Sequence, residues 1–194
     1  MKRFSRFALV WLAVCFALAP LRAQEAAKKA PGPAPSPSEA VLESWNDIGR
    51  KLIAMASDFP EDKFSYKPQA ESRTFVANLV HASASMYFFT DTAAGKKPRK
   101  MAYADDPKDV NIKNRADLVA FVKKCVEDGA AEIKAKGDKG LMEAVNDGRP
   151  HLDRLYDLAY GLIEHSGEHY GQLVVYYRAN GLVPPESRAE EIRK

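Results

Sequence analysis

Four stretches of this chain repeat apolar residues with the 3.6-residue period of a helix, and nowhere does an apolar-polar alternation run long enough to build a sheet. A chain patterned in this way buries its stripes by packing helix on helix. The first stretch spans about 39–58, with Leu42, Trp45, Ile48, Leu52, Ala56 and Phe59 on one face, Ser38 placed as N-cap and Pro60 as terminator. The second spans about 72–92 from a Ser72 cap, and Phe75, Val76, Leu79, Val80, Met86, Tyr87 and Phe89 make it apolar around most of its circumference, which predicts a central helix. The third, about 114–136, opens on Asn114 and Asp117 at capping-box spacing, turns Leu118, Phe121, Val122, Cys125, Val126 and Ile133 inward and stops at Gly137. The fourth begins after Pro150 and runs to about 179, where Asn180-Gly181 and Pro184-Pro185 end it. The expected fold is all-α, an antiparallel four-helix bundle. The polar connection over 93–113 exceeds the usual length of a helix-to-helix loop, so it is expected to cross the bundle end or fold over a site.

The bundle is expected to occupy 39–187, with 188–194 as a tail. Lys2, Arg3 and Arg6 precede a 13-residue apolar run from Phe7 to Ala19, and Pro20-Leu21-Arg22-Ala23 follows, the order of a secretory signal over 1–23. The run is shorter than the ~20 residues that cross a bilayer, so no stable membrane span is expected after cleavage at Ala23. A lipoprotein signal at Cys15 is disfavoured by the bulky Val14 before it. Residues 24–38, with four prolines and nothing to bury, read as an extended linker. The expected location is therefore outside the cytoplasm, periplasmic or secreted. Removing the signal takes four of the 29 Lys and Arg and none of the 26 Asp and Glu, leaving 25 against 26. No nucleic-acid partner is expected of so neutral a chain. The run from Lys96 to Lys100 reads as a solvated loop, and Cys125, the cysteine remaining after cleavage, as a small buried hydrophobe.

The histidines demand a chemical explanation. His165 and His169 lie four residues apart on the inward stripe of the fourth helix, one turn apart on one face, the reach needed to grip one divalent ion. His81, on the second helix, has Ala77, Ala84 and Ser85 as its turn neighbours, so the surface around its ring is small and open. If the second and fourth helices face one another, His81 completes a three-histidine set with coordination positions left for water or substrate. His151, beside Pro150, reads as a surface residue. The same pair also spells H-x-x-E-H through Glu168, the pattern of inverted zinc peptidases, whose third acidic ligand would have to be Glu186, Glu190 or Glu191 beyond the two prolines. Glu164 and Glu168 otherwise read as solvated or as partners that orient an imidazole. Tyr87, Tyr170 and Tyr176 read as core aromatics or as pocket lining.

The stretch Phe59-Pro-Glu-Asp-Lys-Phe-Ser-Tyr-Lys-Pro68, followed by Ser72-Arg-Thr-Phe75 and Leu79-Val-His81, resembles the region around the first metal histidine of the DinB-like superfamily. The segment from His165 to Pro185 resembles the last helix and end of that family, and the similarity covers about 39–187. The resemblance implies a four-helix bundle holding zinc or nickel through His81, His165 and His169. It also implies a relationship to thiol-dependent S-transferases and isomerases, in which the metal activates a thiol as thiolate, and it is compatible with a homodimer. An exported chain departs from those relatives because low-molecular-weight thiol cofactors are intracellular. The resulting expectation is a metal-dependent transferase or hydrolase acting on a small molecule or thiol, its catalytic residues unassigned. The alternative is a non-catalytic metal-binding or interaction protein in which the ion ties the second helix to the fourth.

Overall fold

A computed structural model describes residues 32–191. The expected signal segment, 24–31 of the linker and 192–194 of the tail lie outside the described residues. From Pro35 onward the chain forms one compact unit of six helices with a single two-stranded ladder. The helices are α1 (Pro37–Asp58), α2 (Phe75–Ser85), α3 (Tyr87–Ala93), α4 (Arg115–Leu141), α5 (Leu155–Ala179) and α6 (Pro185–Glu191). Helices α1, α2 with α3, α4 and α5 make the four-part bundle, with α1 against α4 and α5 and with α2 against both α4 and α5. Among the described residues no helix is long and apolar enough to cross a membrane.

The differences from the expected elements have local causes. Helix α1 starts two residues early because Ser36, not Ser38, closes a reciprocal capping box with Glu39. Helix α2 starts at Phe75, not Ser72, because Thr74 caps it and the carbonyls of Tyr66 and Phe64 take the N–H groups of Phe75 and Val76. The single second helix is interrupted at Met86, whose N–H turns to the Ser83 carbonyl, while the Ser85 hydroxyl donates to the His81 carbonyl; such competing bonds bend helices. Helix α4 ends its regular part at Gly137, whose φ of 56° and ψ of −171° break the helix before one further turn.

Helix α5 begins at Leu155 because residues 143–154 make a short hairpin instead. There β1 (Ala144–Val145) pairs antiparallel with β2 (Asp153–Arg154), so the expectation of no strands fails at one ladder of two residues per strand. The chain past the two prolines also folds. Pro185 opens α6, a position a proline suits, and α6 returns to α1 through Glu186 on Arg50 and Arg188 on Asp58. The folded region thus reaches beyond 39–187 at both ends, from Pro37 to Glu191.

Two interactions fix the scaffold. Helices α1 and α4 close on each other where the Trp45 ring packs directly against Gly129 and donates its indole N–H to the Val126 carbonyl at 2.9 Å. On α3, Asp91 is almost fully buried and receives the Arg99 guanidinium at 2.5–3.0 Å and the Arg99 backbone N–H at 2.8 Å. Arg99 also stacks on the Tyr87 ring at 3.8 Å. The basic loop is therefore not wholly solvated, since one of its four cations is a tether. Burial works against ionisation of Asp91, but the hydrogen bonds and charge of Arg99 outweigh it and hold the carboxyl below its ordinary range.

Replacing Gly129 with Ala drives a methyl group into the Trp45 ring and is expected to lower stability by about 1–3 kcal/mol in denaturant or thermal unfolding. For Asp91, a depressed folded-state pKa means stabilisation that is present above pH 3.8 and lost as pH falls below it. Asp91→Asn is accordingly expected to be less stable at pH 7 by about 1–3 kcal/mol, with the gap to wild type closing below about pH 4.

Candidate metal centre

The packing of α2 on α5 brings His81, His165 and His169 together. Their ligand atoms all lie within 4.8 Å of one another, and their ring centroids are 4.5–5.3 Å apart. Each histidine arrives by plain helix geometry: His165 and His169 are one turn apart on α5, and His81 stands on α2 three residues after Asn78, another residue of the site.

Neighbouring polar groups set the orientation of two rings. The Asn78 amide oxygen lies 2.5 Å from His169 Nδ1, while the Asn78 amide nitrogen donates to Gln172 Oε1 at 3.1 Å. With its NH₂ group directed to Gln172, Asn78 can only accept from the imidazole, so His169 Nδ1 carries the proton and Nε2 carries the lone pair. Asp105, from the connection between α3 and α4, lies 3.1 Å from His81 Nδ1 and is itself held by Arg73 Nε at 2.6 Å. The same logic leaves Nε2 of His81 as its acceptor. The long connection thus folds over the site.

Burial is the first cause that lowers the pKa of all three imidazoles. The Arg73 charge adds to it at each ring, while Asp105 opposes it at His81 and Glu168 at His165. His169 falls furthest, to about 4, because His165 and His81 also disfavour a second positive ring beside them. At neutral pH the rings are neutral, the form that coordinates a cation. His165 Nε2 is buried and, among the described residues, has no hydrogen-bond partner. A buried ring nitrogen of a neutral imidazole with no partner is a group that a cation satisfies when its lone pair is turned there, so the residues fit a divalent ion.

The remaining candidates divide clearly. His151 is exposed beside Asp153. Glu164 and Glu168 point to solvent, and neither hydrogen-bonds an imidazole among the described residues. Glu186, a carboxylate the peptidase pattern would need, is bound to Arg50, and His81 stands with the α5 pair instead. Tyr87 is core and donates to Asp128, Tyr170 is half-buried against the core, and Tyr176 donates to the Arg73 carbonyl at the edge of the site. Cys125 is fully buried, and burial pushes its thiol up to about 12, which makes it inert. Sequence reasoning missed Asn78, Arg73, Asp105 and Gln172. Asn78 did carry a signal, an amide among Val76, Ala77, Leu79 and Val80 on an otherwise apolar helix. Asp105 carried none, standing beside Asp106 and Asp109 on a polar loop.

A cleft of about 360 Å³ opens onto His81 and His165, lined also by Ser85, Phe88, Leu158 and Leu162. Another, of about 610 Å³, lies on the Arg73, Asp105, Gln172 and Tyr176 side.

Fold and site together define an all-α bundle with a three-histidine cluster able to hold a metal ion. The DinB superfamily profile matches residues 45–173, and the chain belongs to that superfamily. Among solved structures it is similar to a DinB-like protein, YjoA, from Bacillus subtilis, at 20% identity and a TM-score of 0.56, over 73% of this chain and 92% of that one. At that identity the likeness shows the fold. No curated protein matches the chain.

In long-range ¹H–¹⁵N NMR spectra of the metal-free protein at pH 7, His81 and His169 are expected as Nδ1–H tautomers. Asn78→Ala is expected to shift the His169 signals toward the Nε2–H form and leave those of His81 in place.

Proposed function

We propose that this protein binds one divalent metal ion, zinc or nickel, through His81, His165 and His169 and uses it for nucleophilic transfer to, or hydrolysis of, a small molecule. The observation that carries the reading is the buried, partnerless Nε2 of His165 inside a set of three neutral imidazoles. Imidazole suits both metals, and a three-histidine set matches centres that keep a position open for substrate. When bound, such an ion supplies Lewis acidity that favours the ionised form of a water or thiol nucleophile.

The chain's own residues divide the remaining work. Asn78 and Asp105 hold two rings with Nε2 presented, and Phe88, Leu158 and Leu162 wall the cleft with apolar surface. Asp105 is engaged by both His81 and Arg73, so it serves orientation better than proton transfer. The Asn78 bridge already joins α2 to α5 without an ion, which favours a working metal over one that serves chiefly as a staple. We also propose that the domain acts outside the cytoplasm, on the strength of the basic, apolar and small-residue order of residues 1–23. In that setting water, or a thiol supplied there, is the expected nucleophile.

Elemental analysis of tag-free protein from residue 24 is expected to give about one zinc or nickel per chain. His81→Ala and the pair His165→Ala/His169→Ala are expected to lose it while remaining helical by circular dichroism. Asp105→Ala is expected to keep the site but weaken zinc about 10–100-fold in chelator competition. Wild-type protein that takes up neither metal would sink the proposal. Metal that raises the unfolding temperature yet admits no exogenous thiol or anion would identify a structural ion instead.

A further inference from the structure

The cleft at His81 and His165 does not end at the rings' own surroundings. It shares Phe88, Arg149, Leu158 and Leu162 with a second hollow of about 760 Å³, so the two form one groove. Its inner end is imidazole and its floor is Phe88, Leu158 and Leu162. Its outer end is formed by Lys96 and Lys97 from the connection after α3 and by Arg149 and Asp147 from the turn between β1 and β2. These volumes lie within the range of about 300–1,000 Å³ typical of small-molecule sites.

Charge at the outer end is unequal. Asp147 is taken up by Arg149 at 2.8 Å, and Arg149 also reaches Asp153 at 3.0 Å. Among the described residues Lys96 and Lys97 form no ion pair; Lys96 feels Asp91 only at longer range, where Arg99 already holds that carboxylate, so two positive charges overlook the groove without a contacting acid. The backbone that carries them is held: the Lys96 N–H donates to the Asp91 carbonyl at 2.8 Å, and Arg99 clamps the same segment to the Asp91 side chain. At the inner end Gly161 lines the wall, and a Cβ placed there would meet nothing within 4 Å. Glycine is a poor helix former in the middle of α5, and here its missing side chain leaves the groove open beside His165.

We propose that this groove binds a small amphipathic anion. Its apolar body lies along Phe88, Leu158 and Leu162, its carboxylate or phosphate end group is met by Lys96 and Lys97, and its other end lies at the histidines. The inference deepens the metal reading and rests on it only for what happens at the histidine end.

The test is calorimetric titration of the full chain, zinc-loaded and metal-free, with octanoate, octyl phosphate, octanamide and 8-mercaptooctanoate. At least one of the two anions is expected to bind more tightly than octanamide by about fivefold, and Lys96→Gln/Lys97→Gln is expected to erase that difference. Whichever anion leads identifies the end group. Gly161→Leu adds a side chain in open space and improves helix propensity, so it is expected to retain its circular dichroism and unfolding temperature while losing all binding of the anions. The thiol end group of 8-mercaptooctanoate is expected to tighten binding over octanoate only in zinc-loaded protein. Absence of that gain counts against the metal, while the lysine and glycine variants still decide the groove. Anion binding indifferent to Gly161→Leu, anions that bind no better than octanamide, or wild-type protein that binds neither anion at millimolar concentration would each overturn the inference.

Discussion

Three imidazoles packed within one site remain there only as neutral rings, and much of the surrounding structure follows from that constraint. Each ring, if protonated, would raise the cost of protonating the other two, and burial penalises the charge again, which is why His169 falls furthest. Neutral rings, however, have no intrinsic reason to present a lone pair in one particular direction. Asn78 and Asp105 provide it by fixing Nδ1 as the donor on His169 and His81. Arg73 then has two effects: its field disfavours the imidazolium forms, and its contact with Asp105 keeps that carboxylate at His81.

The same constraint accounts for how much could be read from the chain. Helical periodicity yields the four-part bundle, because a 3.6-residue stripe over 20 residues has few rival interpretations. The spacing of His165 and His169 yields two members of the site, since i and i+4 on a helix is local geometry. His81 needed the facing of α2 on α5, which the stripe of α2 did not dictate: a helix buried around most of its circumference does not announce which face meets which partner. The interruption at Met86, the ladder of β1 with β2, and α6 were not legible. Each depends on hydrogen bonds or ion pairs that a residue pattern of two to seven positions does not distinguish from a loop. Ser38 and Ser72 were plausible caps by type, but Ser36 with Glu39 and Thr74 with the carbonyls of Phe64 and Tyr66 satisfied more backbone donors.

The connection between α3 and α4 shows why composition alone misjudges a loop. Its charges resemble ordinary solvation, yet they perform three different tasks. Arg99 is anchored to Asp91 and Tyr87 at the start of the loop, and Asp105 is anchored to Arg73 and His81 further along. A segment pinned at both points is held over the site without secondary structure of its own beyond single 3₁₀ turns. Lys96 and Lys97, between the α3 terminus and the first pin, are held by the backbone but left without acidic partners among the described residues. The two anchors therefore convert a polar loop into a wall of the site. That wall carries a carboxylate where an imidazole must be oriented and bare cations where the groove opens to solvent. Superfamily membership accounts for the bundle and leaves the chemistry open. On the proposed reading, the groove between those cations and the histidines is where this chain would choose its ligand.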